Sequence, residues 1–562
     1  MDTETDPFLY GRTPEPFTLG FYNGSGYWEF VGEKDVHPLT CVEQYIDHLD
    51  SLDQSEKDDY IVYVHNGGKF DFFFFLDYIE TGSITAIDGR IVKCKIAGVE
   101  FRDSYTIYPM SLASYEKEEF DYTSLEKSVR YKHENLSDIL KYQKSDCLNL
   151  YKLVDAFVNR FGDVLTVSSA AFKQLKLTGY EIKNTNLKYD EKFRPYYYGG
   201  RTEVFKSGSF KTDVEYFDIN SAYSHSMLSD HPSCNETTKS TTLPTNNEMY
   251  FANIKAISRG ALPYRDERGH LIFPNDNIER EYFVTSWEIE VGIKTGTLDI
   301  IKVIEVIQHK KHANFKPYVD KFFSEKYDAK KNGDIIAEIF AKLMLNSAYG
   351  KFALDPQKYT SVEITKGKDL PDELLEWFQY YGVTNTNDLQ DKIKMDYEIK
   401  EHDRAFRLNI CGYKMTLSHP NITIWERPDP NRRFYNTATA ASITGKVRAL
   451  MWETICQCEG VIYCDTDSIM CKKFHGEKSN ELGAWKLECI FDELYVGGKK
   501  LYAGKIKNKS EWKTACKGAR LDYKEIRTIV RDNKSIKWCN DAPSFSLKNM
   551  PKFIDRTIRK TV

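Results

Sequence analysis

Several short stretches of this sequence set carboxylates into apolar frames. YFDINSAYSHSM (216–227) puts Asp218 at the end of an apolar strand start, and VIYCDTDSIM (461–470) puts Asp465 and Asp467 within one. On a strand, residues i and i+2 share a face, so Asp465 and Asp467 are expected to point the same way with Thr466 opposite. Like charges held that close repel unless a cation sits between them, and magnesium is the natural candidate. Nearer the N-terminus, DTE (2–4) offers Asp2 and Glu4 at the same spacing. HNGGKFD (65–71) offers Asn66 and Asp71, and YQKSD (142–146) offers Tyr142 and Asp146, one helical turn apart. Four carboxylates and a tyrosine suit two-metal hydrolysis of a phosphodiester, with the acids holding ions about 4 Å apart and the phenol orienting a water. KLMLNSAYGKF (342–352), read as a helix, puts Lys342, Asn346 and Tyr349 at i, i+4 and i+7 on one stripe. A cation, an amide and a phenol so aligned suit a triphosphate, a base edge and a stacked ring.

The elements that must position these residues are legible in outline. Of 562 residues 41% are hydrophobic and 29% charged, enough apolar material for several cores. No apolar run reaches membrane-spanning length, the densest being FDFFFFL (70–76), so no membrane partner is expected. Twelve scattered cysteines without metal-ligand spacing read as reduced thiols in an intracellular reducing compartment. The first 170 residues mix strand-like runs (IVYVHN, RIVKCKIAGVEFRDSY) with a long helical one (LSDILKYQKSDCLNLYKLVDAFV), an α/β pattern. Residues 229–320 read as strands and turns without a helix, 316–353 as helical, and 354–435 as irregular and rich in Pro and Asn. Charge is uneven. Residues 496–562 hold 18 Lys and Arg against 6 Asp and Glu, a balance of +12, so the rest carries −17 of the net −5. Basic residues interleaved with Tyr502, Trp512, Tyr523 and Trp538 suit a phosphate backbone with exposed bases.

Taken in order, these motifs resemble those of family B DNA polymerases over nearly the whole chain. DTE, HNGGKFD and YQKSD stand as three exonuclease motifs, and DINSAYS, KLMLNSAYG and YCDTDS as the polymerase motifs. YYGG (197–200), KLY (500–502) and ITGKVR (443–448) are similar to motifs of the protein-primed branch found in bacteriophages, adenoviruses, linear plasmids and Maverick-type elements. The resemblance implies that Asp218 and Asp467 hold two Mg2+ ions (Mn2+ being an alternative), with Asp465 assisting. It implies that Lys342 meets the incoming phosphates, with Lys330 a further candidate, and that Glu338 stands where relatives carry another lysine. Tyr223 resembles the steric gate that favours deoxyribonucleotides, while Asn346 and Tyr349 line the nascent base pair. Tyr197, Gly199, Gly200, Thr444, Arg448, Lys500 and Tyr502 are implied DNA contacts. In the exonuclease, Asp2, Glu4, Asp71 and Asp146 would hold two further ions, Tyr142 would serve catalysis, and Asn66 and Ser104 would bind single-stranded DNA. Asp2 has only Met1 before it, so either the chain is a fragment of a longer protein or its first strand is truncated.

The implied fold is a multidomain α/β and α+β chain: an RNase H-like 3′–5′ exonuclease domain (1–170) followed by a right-hand polymerase. A linker and first palm segment would span 171–228, an insertion contacting a terminal protein 229–320, fingers 321–353, and a second insertion for processivity and strand displacement 354–435. A second palm segment (436–495) and a thumb (496–562) complete it. The implied function is protein-primed, replicative, DNA-directed DNA synthesis on a linear genome with proofreading, by a monomer using primer-template DNA, dNTPs and a terminal protein. Its compartment would follow the replicon: host cytoplasm, nucleus or mitochondrion. Two other readings are a polymerase that extends ordinary primers or needs none, and a catalytically inactive DNA-binding scaffold.

Overall fold

The computed structural model describes all residues except 9–11, 35–38, 81, 116–118, 247, 357–358, 380–383, 389–400, 403–404, 407–408, 411, 419–421, 430–432, 541–542 and 562. The chain divides into two compact units. The first comprises Met1–Ser169, Asp355–Arg432 and Asn540–Ile554, and the second Ala170–Leu354, Arg433–Cys539 and Asp555–Val562.

The first unit is built on an eight-stranded sheet, ordered Asn409–Ile410, Tyr413–Ser418, Ile422–Pro428, Tyr359–Lys366, Thr85–Ile87, Arg90–Ile96, Val99–Asp103, Ile61–Val64. Only the last pair is parallel. RIVKCKI forms a strand as the reading expects, buried at Ile91, Val92, Cys94 and Ile96, with Val99 and Phe101 buried on the next. A separate antiparallel sheet joins Asp2–Thr5, Pro16–Tyr22 and Tyr27–Val31. Short as it is, Asp2–Thr5 is paired along its length, Asp2 opposite Gly20 and Glu4 opposite Thr18. The Met1 ammonium donates to the Tyr63 carbonyl at 2.9 Å. The helix His133–Phe161 buries Ile139, Cys147, Leu150, Leu153, Phe157 and Phe161, a 3.6-residue stripe. That stripe leaves Tyr142 and Asp146 on the flank. The segment 354–435 is not irregular throughout: Tyr359–Lys366 pairs with both Thr85–Ile87 and Ile422–Pro428, extending the sheet of the first 170 residues.

The second unit centres on an antiparallel sheet ordered Trp512–Cys516, Leu501–Ile506, Trp485–Gly498, Val214–Ile219, Ser468–Cys471, Tyr463–Thr466, Arg201–Val204, with Gly208–Phe210 also on Trp485–Gly498. The buried helix Thr437–Gln457 packs in the same unit. A second sheet is ordered Thr237–Ser240, Leu298–His309, Tyr250–Arg259, Asn275–Thr285. It leads into a helix, Ser286–Lys294, which the sequence reading missed. Its start is a capping box in which Thr285 and Glu288 bond reciprocally. The helices Lys316–Asn332 and Ile335–Phe352 form a hairpin. Gly333, at φ 71°, takes the left-handed position that ends the first helix, and the Asp334 carboxylate caps the second through Ala337 N–H at 3.0 Å.

Candidate active sites

In the first unit, Glu4 and Asp71 are 9% and 4% exposed. Asp71 accepts a hydrogen bond from the Thr3 hydroxyl. Burial raises the Asp2 carboxyl well above its ordinary value, and the charges of Glu4, Asp146 and Asp71 raise it further. Glu4 is pushed up to about 8 by burial, then by Asp146 and Asp71. Asp71 is pushed up to about 6, chiefly by burial. The four carboxylates therefore lie within electrostatic reach of one another, as the motif order anticipates. Among the described residues no three Asp, Glu, His or Cys side chains close into a ready-made metal cage. An all-oxygen set under mutual repulsion is nonetheless the donor chemistry of a hard divalent cation. Beside it, Tyr142 stacks on Phe120 at 4.4 Å, and its hydroxyl lies 3.4 Å from that of Tyr122.

Two expected DNA ligands of this unit are already engaged. Ser104 is fully buried, bonded to His65 Nδ1 at 3.0 Å and to the Val64 carbonyl. Asn66, in the left-handed region at φ 61°, accepts from Arg90 at 3.0 Å. Ser104 thus orders the loop from within instead of facing solvent.

In the second unit a cavity of about 280 Å³ is lined by Asp218, Ser221, Lys326, Lys342, Asn346, Asp467, Lys486 and Glu488, among others. Asp218 lies one residue from the end of the strand Val214–Ile219, directly opposite Ser468 on one side and Lys486 on the other. Its carboxyl is pushed up to about 7 by burial, then by Asp467 and Glu488. Asp467 is pushed up to about 6, mainly by burial.

The expectation that Asp465 and Asp467 share a strand face is corrected here. The chain turns at Thr466, which sits in the left-handed region at φ 62°. Asp467 N–H donates to the Asp465 carbonyl at 2.7 Å, and pairing resumes at Ser468. A hairpin turn breaks the period-2 alternation, so the two carboxylates no longer share a strand face, although Asp465 still raises Asp467 by its charge. Asp465 accepts from the Thr202 hydroxyl at 2.9 Å and meets the Lys500 ammonium at 3.4 Å. Asp467 faces the cavity with Asp218.

The helix Ile335–Phe352 presents Lys342 and Asn346 to the cavity while Phe340, Ala341, Met344, Leu345 and Ala348 are buried behind them. Tyr318 fixes this helix by donating to the Met344 carbonyl at 2.7 Å. Tyr223 and Tyr349 stack at 4.2 Å with 2° between their planes. Gly200 approaches both motifs: a Cβ there would lie 2.7 Å from Thr466 Cγ2 and 2.9 Å from the Tyr223 hydroxyl. Tyr197 is held from behind, its carbonyl accepting from Arg265 at 2.6 Å.

Thr444 and Arg448, expected on DNA, lie inside the unit. The Arg448 guanidinium pairs with Glu288 at 2.7 Å, both side chains 1% exposed, and donates to the Tyr198 and Gly199 carbonyls at 2.7 and 3.0 Å. The Thr444 hydroxyl is spent on the Ala441 carbonyl. Arg448 braces the YYGG turn from within. Tyr502 is also buried, its ring against Tyr463. Lys500 N–H donates to the Tyr463 hydroxyl.

The cavity also holds residues absent from the sequence reading. Lys326, not Lys330, lines it. Burial lowers the Lys326 ammonium below its ordinary value, and Lys342, Lys330 and Lys486 add to that. Glu338 acts on Lys326 in the opposite sense. Glu488 and Lys486 arrive on the strand paired with Asp218. Their only signal in the sequence is strand register, which a chain read alone does not supply.

A carboxylate pair from a strand and a neighbouring hairpin turn, facing a helix that offers a lysine, an asparagine and a tyrosine, is the arrangement of a polymerase-type nucleotidyltransferase. The family described as DNA polymerase type B, organellar and viral, matches residues 113–406. The DNA-directed DNA polymerase of Enterobacteria phage PRD1 is 34% identical over 594 residues, covering 100% of this chain and 97% of that one. A DNA polymerase of Kluyveromyces lactis is 24% identical over 402 residues, covering 65% of this chain and 37% of the relative. The chain belongs to the type B DNA polymerases. Among solved structures, Phi29 DNA polymerase complexed with primer-template DNA and incoming nucleotide substrates has the same fold: TM-score 0.69, 16% identity, 100% of this chain and 99% of that one covered.

Proposed function

We propose that the second-unit cavity is where this polymerase joins deoxynucleotides, on a strand first primed by a terminal protein, and that the first-unit carboxylates form a 3′–5′ proofreading exonuclease. The observation that carries the polymerase reading is the single cleft shared by Asp218, Asp467, Lys342 and Asn346, with the stacked Tyr223 and Tyr349 nearby.

In this reading the primer hydroxyl attacks the α-phosphate of the incoming nucleotide, a new P–O bond forms, and pyrophosphate leaves. Two Mg2+ ions, with Mn2+ as an alternative, would neutralise the charge that develops on the attacking and leaving oxygens. Asp218 and Asp467 would hold them. Asp465, occupied by Thr202 and Lys500, would order the turn and the Lys500 ammonium near the primer strand. Lys342 and Lys326 would receive the triphosphate. Tyr223, pressed flat against Tyr349, would exclude a ribose 2′-hydroxyl. In the first unit, Asp2, Glu4, Asp71 and Asp146 would hold the ions of the exonuclease.

The corresponding division of the chain is exonuclease 1–170, palm 171–228 and 436–495, a terminal-protein insertion 229–320, fingers 321–353, a processivity insertion 354–435 and a thumb from 496, working as a monomer on primer-template DNA. Transfer of labelled dNTP to a co-expressed terminal protein tests the priming claim. Ordinary primer extension with no labelled protein product would leave the polymerase and remove the priming. Asp467→Ala is expected to lower primer extension by about a thousandfold, several kcal/mol of lost charge stabilisation, while single-strand degradation persists. Asp71→Ala is expected to do the reverse. Wild-type extension by Asp467→Ala would refute the assignment of the cleft.

A further inference from the structure

Lys486 is the one lysine of the cleft that comes from the catalytic sheet itself. It stands directly across the ladder from Asp218, so the two side chains leave the same face of the sheet. Glu488, left unpaired by a bulge two residues further on, turns its carboxylate to the Lys486 ammonium at 2.8 Å. Asp218, Lys486 and Glu488 thus form a row along one edge of the cavity, with Asp467 alongside. Three carboxylates in one cleft repel one another, and each gains from a cation placed among them.

We propose, resting on the reading of this cleft as the nucleotidyl-transfer site, that Lys486 is a positioning residue whose ammonium, paired with Glu488 and within electrostatic reach of Asp218, competes with divalent cations for those carboxylates. Arrival of a triphosphate gives the ammonium another anionic partner, so release of Glu488, and a weaker hold on Asp218, is coupled to nucleotide binding. The coupling is a difference in affinity between two states, which is all a linked equilibrium requires. Lys326 and Lys342 cannot substitute, because they come from the helix hairpin on the other side of the cavity.

The test is Mn2+ binding to the full chain, followed by electron paramagnetic resonance as the difference between wild type and variant, so that ions bound elsewhere cancel. Lys486→Met is expected to tighten Mn2+ binding about two- to fivefold without nucleotide, the range for losing a partly exposed charge pair. That gain is expected to shrink when dNTP and a dideoxy-terminated primer-template are present. Lys486→Arg is expected to bind as wild type. Lys486 is half exposed, so neither variant threatens folding. Unchanged or weaker binding by Lys486→Met would overturn the proposal, provided Asp218→Asn weakens binding. Wild-type binding by Asp218→Asn would instead overturn the reading of the cleft, and this inference with it.

Discussion

Carboxylates that raise one another store a dependence on pH. The Glu4 carboxyl moves from 4.5 to about 8 and Asp71 from 3.8 to about 6 on folding. A raised carboxyl means that the folded state binds more protons than the unfolded one. Stability from these groups is therefore fully present below the ordinary carboxyl range and is lost as pH rises through their folded values. In chelator, thermal unfolding of the first unit is expected to fall to lower temperature between pH 5 and pH 8 on the order of those shifts. Added Mg2+ is expected to remove most of that slope, because a bound cation takes over what the protons did. Scanning calorimetry across that range checks both statements. In the second cleft, Asp465→Ala is expected to lower extension far less than Asp467→Ala, since Asp465 is held by Thr202 and Lys500 and does not line the cavity. The carboxylates were readable because acids inside apolar frames are costly unless something holds them. Lys326 and Glu488 were not, because nothing in their own neighbourhoods sets them apart. They become site residues only when a helix folds back and two strands find register.

At the scale of elements, the sequence pattern served well where one period ran unbroken and failed where geometry changed within a few residues. The stripe along His133–Phe161 and the face carrying Lys342, Asn346 and Tyr349 came through intact. The DTD stretch did not, because alternation cannot reveal a hairpin turn whose left-handed residue is a threonine. Arg448 was misplaced for another reason: a cation on a helix looks like a surface ligand until its partner, Glu288, is known. Since both side chains of that pair are 1% exposed, Arg448→Met would strand a buried carboxylate, and a loss of about 3–5 kcal/mol in denaturant unfolding is expected. Gly200→Ala puts a methyl against Thr466 and the Tyr223 hydroxyl. Steady-state extension is expected to drop more than thermal stability does, because the clash lies between Tyr223 and the turn that carries Asp467.

For the molecule as a whole, the notable fact is that the first unit draws on three separated stretches of chain. Phe545 and Leu547 belong to the same apolar core as Phe72, Phe75 and Phe101, and Phe545 packs edge-on against Phe70 at 5.4 Å. The expectation of an unbroken basic thumb over 496–562 gives no hint of this. Phe545→Ala is expected to cost the first unit about 3–5 kcal/mol and to depress single-strand degradation more than primer extension, as calorimetry with the two activity assays would report.

That shared core has a consequence for how the protein is made. Ser546 donates to the carbonyl of Gly89, 457 positions earlier. At cellular rates of translation the ribosome needs roughly 25–90 s to cover such an interval. Throughout it the aromatic residues around Phe70 await the strand that covers them. The amino-terminal unit is thus begun first and completed late, and its period of exposure is set by the speed of synthesis across the polymerase segments between.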